Sequence, residues 1–127
     1  MKISKLFKKR FKNTKIDKVL VENQIGTIAL RMKTLQGMII QHFIENDITD
    51  IDCVNSSNKL KLFLEKKKTT YNERKKLGIK HTLELLEKHN TNKNRILYFN
   101  RHKKKDDLAD SFLQCFWYIN EKKIIKL

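Results

Sequence analysis

Proline is absent from all 127 residues, and glycine occurs only three times. A chain with no proline and 39% hydrophobic residues is neither linker-rich nor disordered. Its length allows one domain with a real core. Cysteine is scarce: Cys53 and Cys115 have no cysteine near them, so neither belongs to a metal-ligand spacing. A reduced, intracellular protein is the simple reading. Long apolar runs are also missing, and nothing approaches the roughly 20 residues needed to span a bilayer. The N-terminus has no apolar block of a secretory signal, because Ile3, Leu6, Phe7 and Phe11 are interleaved with lysines. Acids are few as well. Fourteen Asp and Glu face 29 Lys and Arg, a formal net charge of +15. That imbalance favours a nucleic-acid partner over an anionic membrane surface or a small-molecule substrate.

What is present reads as alternating helices and short strands, with no internal repeat and no dividing linker. Residues 1–16 carry seven Lys or Arg and no acid, and apolar residues at 3, 6, 7 and 11 predict a short amphipathic helix. Val19, Leu20 and Val21 form a short apolar run, predicting a strand over 16–22. Gly26 allows a turn, and apolar positions 28, 32, 35, 39 and 43 predict a helix over 28–45. A second strand is expected at 48–54. Strand, helix, strand at this spacing is a βαβ unit, with parallel strands and a right-handed crossover. Residues 59–64 are ambiguous. Thr70 with Glu73 forms a capping box that predicts a helix from Thr69 or Thr70 to about His89. A polar break at 90–94 follows, then a small strand or extended loop at 96–99. A last helix is expected from Lys105 or Asp106 to Asn120, with Asp106 as its cap, before a basic tail.

Four constellations carry chemistry, one of them the basic arm at residues 1–16, where a DNA-backbone contact competes with the remnant of a truncated helix. Glu22 ends a strand, where α/β folds place their ligand sites; the plain alternative is a solvent-facing carboxylate. Asp107 and Asp110 lie one turn apart on the last helix, while Leu108, Phe112, Cys115 and Phe116 share another face. Paired carboxylates on a half-apolar helix are costly unless a cation neutralises them, although acids near a helix start are also ordinary dipole chemistry. Together Glu22, Asp107 and Asp110 would form an all-oxygen site selecting Mg²⁺, with Mn²⁺ as the other candidate. The third is Tyr71-Asn72-Glu73-Arg74-Lys75-Lys76, either a solvated helix face or a phosphate contact. His42, His81, His89 and His102 share no spacing and read as surface or packing residues. Phe116, Trp117 and Tyr118 read as core or interface, with stacking on an unpaired base as the other reading.

These blocks resemble a known family. Val21-Glu22-Asn23-Gln24 followed by Met32-Lys33-Thr34-Leu35-Gln36-Gly37-Met38-Ile39 is similar to the second conserved block of the poxvirus-type Holliday junction resolvases. Asn58-Lys59-Leu60-Lys61, Tyr71 to Lys76, and Lys104-Lys105-Asp106-Asp107-Leu108-Ala109-Asp110-Ser111-Phe112-Leu113-Gln114 continue the likeness in the family's order, over about residues 16–119. The resemblance implies an α/β, RNase H-like (RuvC-type) mixed sheet flanked by helices. It also implies an Mg²⁺-dependent endonuclease that resolves four-way junctions in branched DNA, usually as a homodimer, in viral replication, recombination and repair. Glu22, Asp107 and Asp110 would be catalytic metal ligands, and Lys76 or Lys75 would assist at the scissile phosphate. Lys33, Arg74, Lys75, Lys103, Lys104 and Lys105 would bind DNA.

The family opens with a strand carrying an Asp followed by Gly and Asn, and nothing in residues 1–16 matches it. The chain therefore reads as the C-terminal two-thirds of a resolvase, incomplete at the N-terminus. The expected layout is a basic segment at 1–15, a partial nuclease domain at 16–120 and a basic tail at 121–127. A non-catalytic branched-DNA-binding remnant is the alternative. Either would work inside a cell, in the host cytoplasm or at a viral replication site.

Overall fold

Ile3, Phe7 and Phe11 recur every four residues, and the chain winds into a helix over Lys2–Arg10 (α1) with its lysines outward. The computed structural model describes residues 2–26, 30–63, 69–89 and 91–124. Two compact units result, Met1–Ser56 and Ser57–Leu127.

The first unit is a βαβ arrangement preceded by α1. Strand Val19–Glu22 (β1) is followed by a turn in which Gly26 takes φ +100, a left-handed conformation natural to glycine. Helix Leu30–Glu45 (α2) leads into strand Ile51–Val54 (β2). The strands pair in parallel, Val19 opposite Ile51 through Glu22 opposite Val54, as the spacing predicts. The Val19 N–H to Asp50 C=O bond (3.0 Å) and the Asn23 N–H to Val54 C=O bond (2.8 Å) extend the ladder at both ends.

Both strands are shorter than expected, and β2 has a clear reason. Residues 46–48 are used to close α2. Asp47 sits at φ 64, and Ile48 N–H turns back to Phe43 C=O at 2.9 Å. The expected start of α2 at 28–29 lies outside the described residues. Packing in this unit is aromatic: Phe7 stacks on Phe43 at 5.6 Å and meets His42 edge-on at 5.3 Å. Ser4 Oγ and His42 Nδ1 are 2.7 Å apart.

The second unit is helical. The 3₁₀ turn Ser56–Leu60 crosses into it from the first unit. Helix Tyr71–Lys88 (α3) starts with the predicted capping box. Thr70 Oγ1 accepts from Glu73 N–H (3.2 Å), and the Glu73 carboxylate accepts from Thr70 N–H (3.1 Å). Helices Lys93–Arg101 (α4) and Lys105–Glu121 (α5) complete the unit.

α4 corrects the expectation of a strand or loop at 96–99. Ile-Leu-Tyr-Phe has β propensity, but the Asn92 side chain accepts from Asn94 N–H at 2.8 Å and caps a helix. Winding then brings Ile96 and Phe99 onto one face, and Phe99 is buried. Of the polar break expected at 90–94, residue 90 lies outside the described residues. So do 64 of the ambiguous 59–64 segment and 125–127 of the expected tail.

Leu60, Leu85 and Leu113 form the core of this unit, flanked by Phe63, Phe112 and Phe116. Burying one such side chain contributes about 1.5–3 kcal/mol, enough to hold α3 against α5. The buried line of α5 runs through Ala109, Leu113, Gln114 and Tyr118, so Cys115, expected on the apolar face, is exposed. Thr82 is 1% exposed, and its hydroxyl has no hydrogen-bond partner among the described residues.

Candidate nucleic-acid and metal site

The first turn of α5 leaves backbone N–H groups without helical partners, which favours negative charge there. Asp106 and Asp107 meet that condition, Asp110 follows one turn on, and all three face lysines, with Lys104 shared between the first two. Asp106 was expected to cap the helix. The cap is instead Lys104, with no side-chain hydrogen bond, and Asp106 lies within the helix. Its carboxylate reaches across to Lys75 Nζ at 3.2 Å. That contact accompanies the correction: the strongest partner of the Asp106 carboxylate is a lysine on another helix, and its backbone hydrogen bond is a lesser influence.

Lys75 has a second contact, with its ammonium 4.5 Å from the centre of the Tyr71 ring. Hydrogen bonding to Tyr71, and then to Asp106, raises the Lys75 pKa above its ordinary value. The same Lys75 contact pulls Asp106 below the usual carboxylate range. The pair is charged at neutral pH and ties the start of α3 to the start of α5.

Asp107 is the most open of the three acids, 66% exposed, with Lys104 Nζ at 3.8 Å. Asp110, one turn on, has Lys59 Nζ at 3.0 Å and is 44% exposed. Both are solvent-accessible oxygen donors, the type that hard divalent cations prefer. On α3, Arg74 is exposed and donates to Thr69 C=O at 3.3 Å. Lys76 is exposed and makes no ion pair among the described residues. Lys103 and Lys104 are exposed before α5, and Lys105 is half-buried at its first position.

Glu22 and Lys33 belong to the other unit. Glu22 is the last residue of β1, at the carboxyl end of the parallel pair, and Lys33 is exposed on α2. Among the described residues no group of three or more His, Cys, Asp and Glu is placed to hold a metal ion.

One residue near Glu22 had no role in the sequence reading. Gln36 Oε1 accepts from Gln24 N–H at 3.0 Å, and its Nε2 donates to Asn23 Oδ1 and Cys53 Sγ, each at 3.3 Å. Gln24 Nε2 in turn donates to Glu22 C=O at 3.2 Å. Gln36 thereby fastens the backbone after Glu22 to α2 and β2. A signal was available: Gln36 is four residues after Met32 and three before Ile39, a polar side chain on an apolar stripe.

The family model described as Poxvirus A22 protein matches residues 2–122. The chain belongs to this family, that of the Holliday junction resolvases. The match begins well ahead of residue 16, where the motif likeness starts. Uncharacterized protein L451 of Acanthamoeba polyphaga mimivirus is 31% identical over 137 aligned positions, covering 93% of this chain and 32% of that protein. The chain thus spans about a third of that relative's length. No solved structure matches. Among the described residues no helix is long and apolar enough to cross a membrane.

Proposed function

We propose that this chain is a divalent-cation-dependent endonuclease that resolves four-way DNA junctions by phosphodiester hydrolysis, working as a homodimer with an RNase H-like (RuvC-type) core. One observation carries the reading. Within a single unit, the Lys75–Asp106 pair joins the turn bearing Asp107 and Asp110 to the turn bearing Arg74 and Lys76. Carboxylates able to ligate a cation and cations able to meet a phosphate thus share one unit. Membership in the resolvase family supports branched DNA as the substrate.

In this reading Glu22, Asp107 and Asp110 would supply the oxygen ligands for Mg²⁺, and Mn²⁺ would satisfy the same donors. The fit is one of donor chemistry: the α5 pair is all oxygen and open to solvent, and a bound cation would replace the Lys59 ammonium beside Asp110. When bound, the cation supplies the charge that activates water and stabilises the leaving oxygen. Lys76 neutralises charge developing on the scissile phosphate. Lys75, held by Asp106 and Tyr71, positions that turn instead of reaching the phosphate. Arg74, Lys103, Lys104, Lys105 and Lys33 bind the DNA backbone, which fixes register without reading sequence.

A second reading has its own support, since Asp106, Asp107 and Asp110 each already face a lysine. It is a non-catalytic protein that binds branched DNA. Incubating the chain with a synthetic four-way junction or a matched linear duplex, in Mg²⁺ or EDTA, separates the two. Nuclease function predicts Mg²⁺-dependent cleavage of the junction. Salt-sensitive junction binding with no product in either Mg²⁺ or Mn²⁺ establishes the binding protein instead.

A further inference from the structure

α1 takes no part in the carboxylate chemistry, yet its charge is the most one-sided in the molecule. Lys2, Lys5, Lys8, Lys9 and Arg10 are all exposed, and its first turn contains no acid. None of the five makes an ion pair among the described residues. Lys5 and Lys9 stand at i,i+4, and Lys2, Lys5 and Lys8 at successive i,i+3 steps, so the helix carries like-charge repulsion along its length. Lys2 and Lys5 also lie near the positive end of the helix dipole. An anionic partner relieves both costs.

We infer that α1 is a separate DNA-backbone contact surface belonging to the first unit. This rests on the nuclease or DNA-binding reading above for its substrate class, but uses none of its residues except their membership in one chain. The charges are spread along nine residues, about 13 Å of helix, and do not converge on a point. That spacing suits a linear polyanion, since duplex DNA presents about one charge per 1.7 Å. A cleft of about 750 Å³ runs between α1 and α2, with Lys5 and Lys8 on its α1 wall and Thr34, Gln41 and the carboxylate of Glu45 on its α2 wall.

The alternative partner of a basic amphipathic helix is a lipid surface, which takes up the apolar face. Here Phe7 is stacked on Phe43 and Ser4 bonds to His42, so that face already rests against α2. What remains outward on α1 is its five charges, with Leu6 the one exposed apolar side chain among them, too little apolar surface to enter a bilayer.

The test uses the full chain with Lys2, Lys5, Lys8 and Lys9 changed together to Gln, binding a four-way junction over a range of salt. Each phosphate contact contributes about 0.9 to the slope of log K against log salt, so the slope should fall by roughly three to four. The helical circular dichroism should be retained. A second measurement needs no variant: bound junction should protect Lys5 and Lys8 from acetylation in the wild type. An unchanged slope, or full acetylation in the complex, overturns the inference. So does loss of binding to phosphatidylserine vesicles with the DNA slope unaltered. A wild-type chain that binds no DNA at all removes the parent reading too.

Discussion

Lys75 on α3 and Asp106 on α5 lie 3.2 Å apart, and the same lysine rests against the Tyr71 ring. This pair divides the labour between two adjacent lysines. Lys75 is engaged on the protein and Lys76 is left exposed, the lysine that the proposed mechanism assigns to the phosphate.

The first prediction follows from that division. Lys76→Gln should lower junction cleavage by about 10²-fold or more while leaving the melting temperature unchanged, as loss of a charge acting on the transition state does. Lys75→Gln should lower the melting temperature and weaken cleavage less. Single-turnover cleavage assays and thermal unfolding of both variants distinguish them.

The pair also sets a pH window. Asp106 titrates below its ordinary value of 3.8, so its contribution is present above that pH and is lost as acid protonates the folded form. Lys75 titrates above 10.5, so its contribution is complete below that pH and is lost only in stronger alkali. The difference in stability between wild type and Asp106→Asn should therefore be constant from about pH 5 to 9 and shrink below pH 4. Urea unfolding at stepped pH measures it.

Gln36 should act through Glu22 without touching substrate. Gln36→Ala leaves the Gln24 N–H without its acceptor, at a cost of about 1 kcal/mol in stability. Cleavage should fall about tenfold in kcat with little change in KM, since the effect is on ligand placement and not on DNA contact. A stability loss of that size with unaltered kcat would reduce Gln36 to a packing role.

Thr82→Val should stabilise the second unit by about 1 kcal/mol, because the change replaces a buried hydroxyl that has no partner among the described residues by a methyl group of similar shape. Chemical denaturation of the two proteins is sufficient to see it.

Local rules carried far along this chain. The Thr70–Glu73 box was legible because both partners lie within one turn, and the parallel pairing of β1 and β2 was legible from strand–helix–strand spacing. Residues 96–99 were misread because β propensity outweighed one capping asparagine, Asn92, four residues upstream of Ile96. Asp106 was misread for a different reason. Its partner sits on another helix, and no local pattern distinguishes a capping acid from one held by tertiary contact. Cys115 was placed on the apolar face by helical spacing alone, whereas packing turned the buried line of α5 to Ala109 and Leu113. In the candidate site, the residue types were readable from the chain. The lysine facing each carboxylate was not.

The central claim is that Asp107 serves the cleavage reaction as a cation ligand. Wild type and Asp107→Asn should be compared on one synthetic four-way junction, measuring binding in EDTA and cleavage in Mg²⁺. The account predicts equal binding, with cleavage by the variant reduced about 10²-fold or more. Equal cleavage by the two proteins would contradict it.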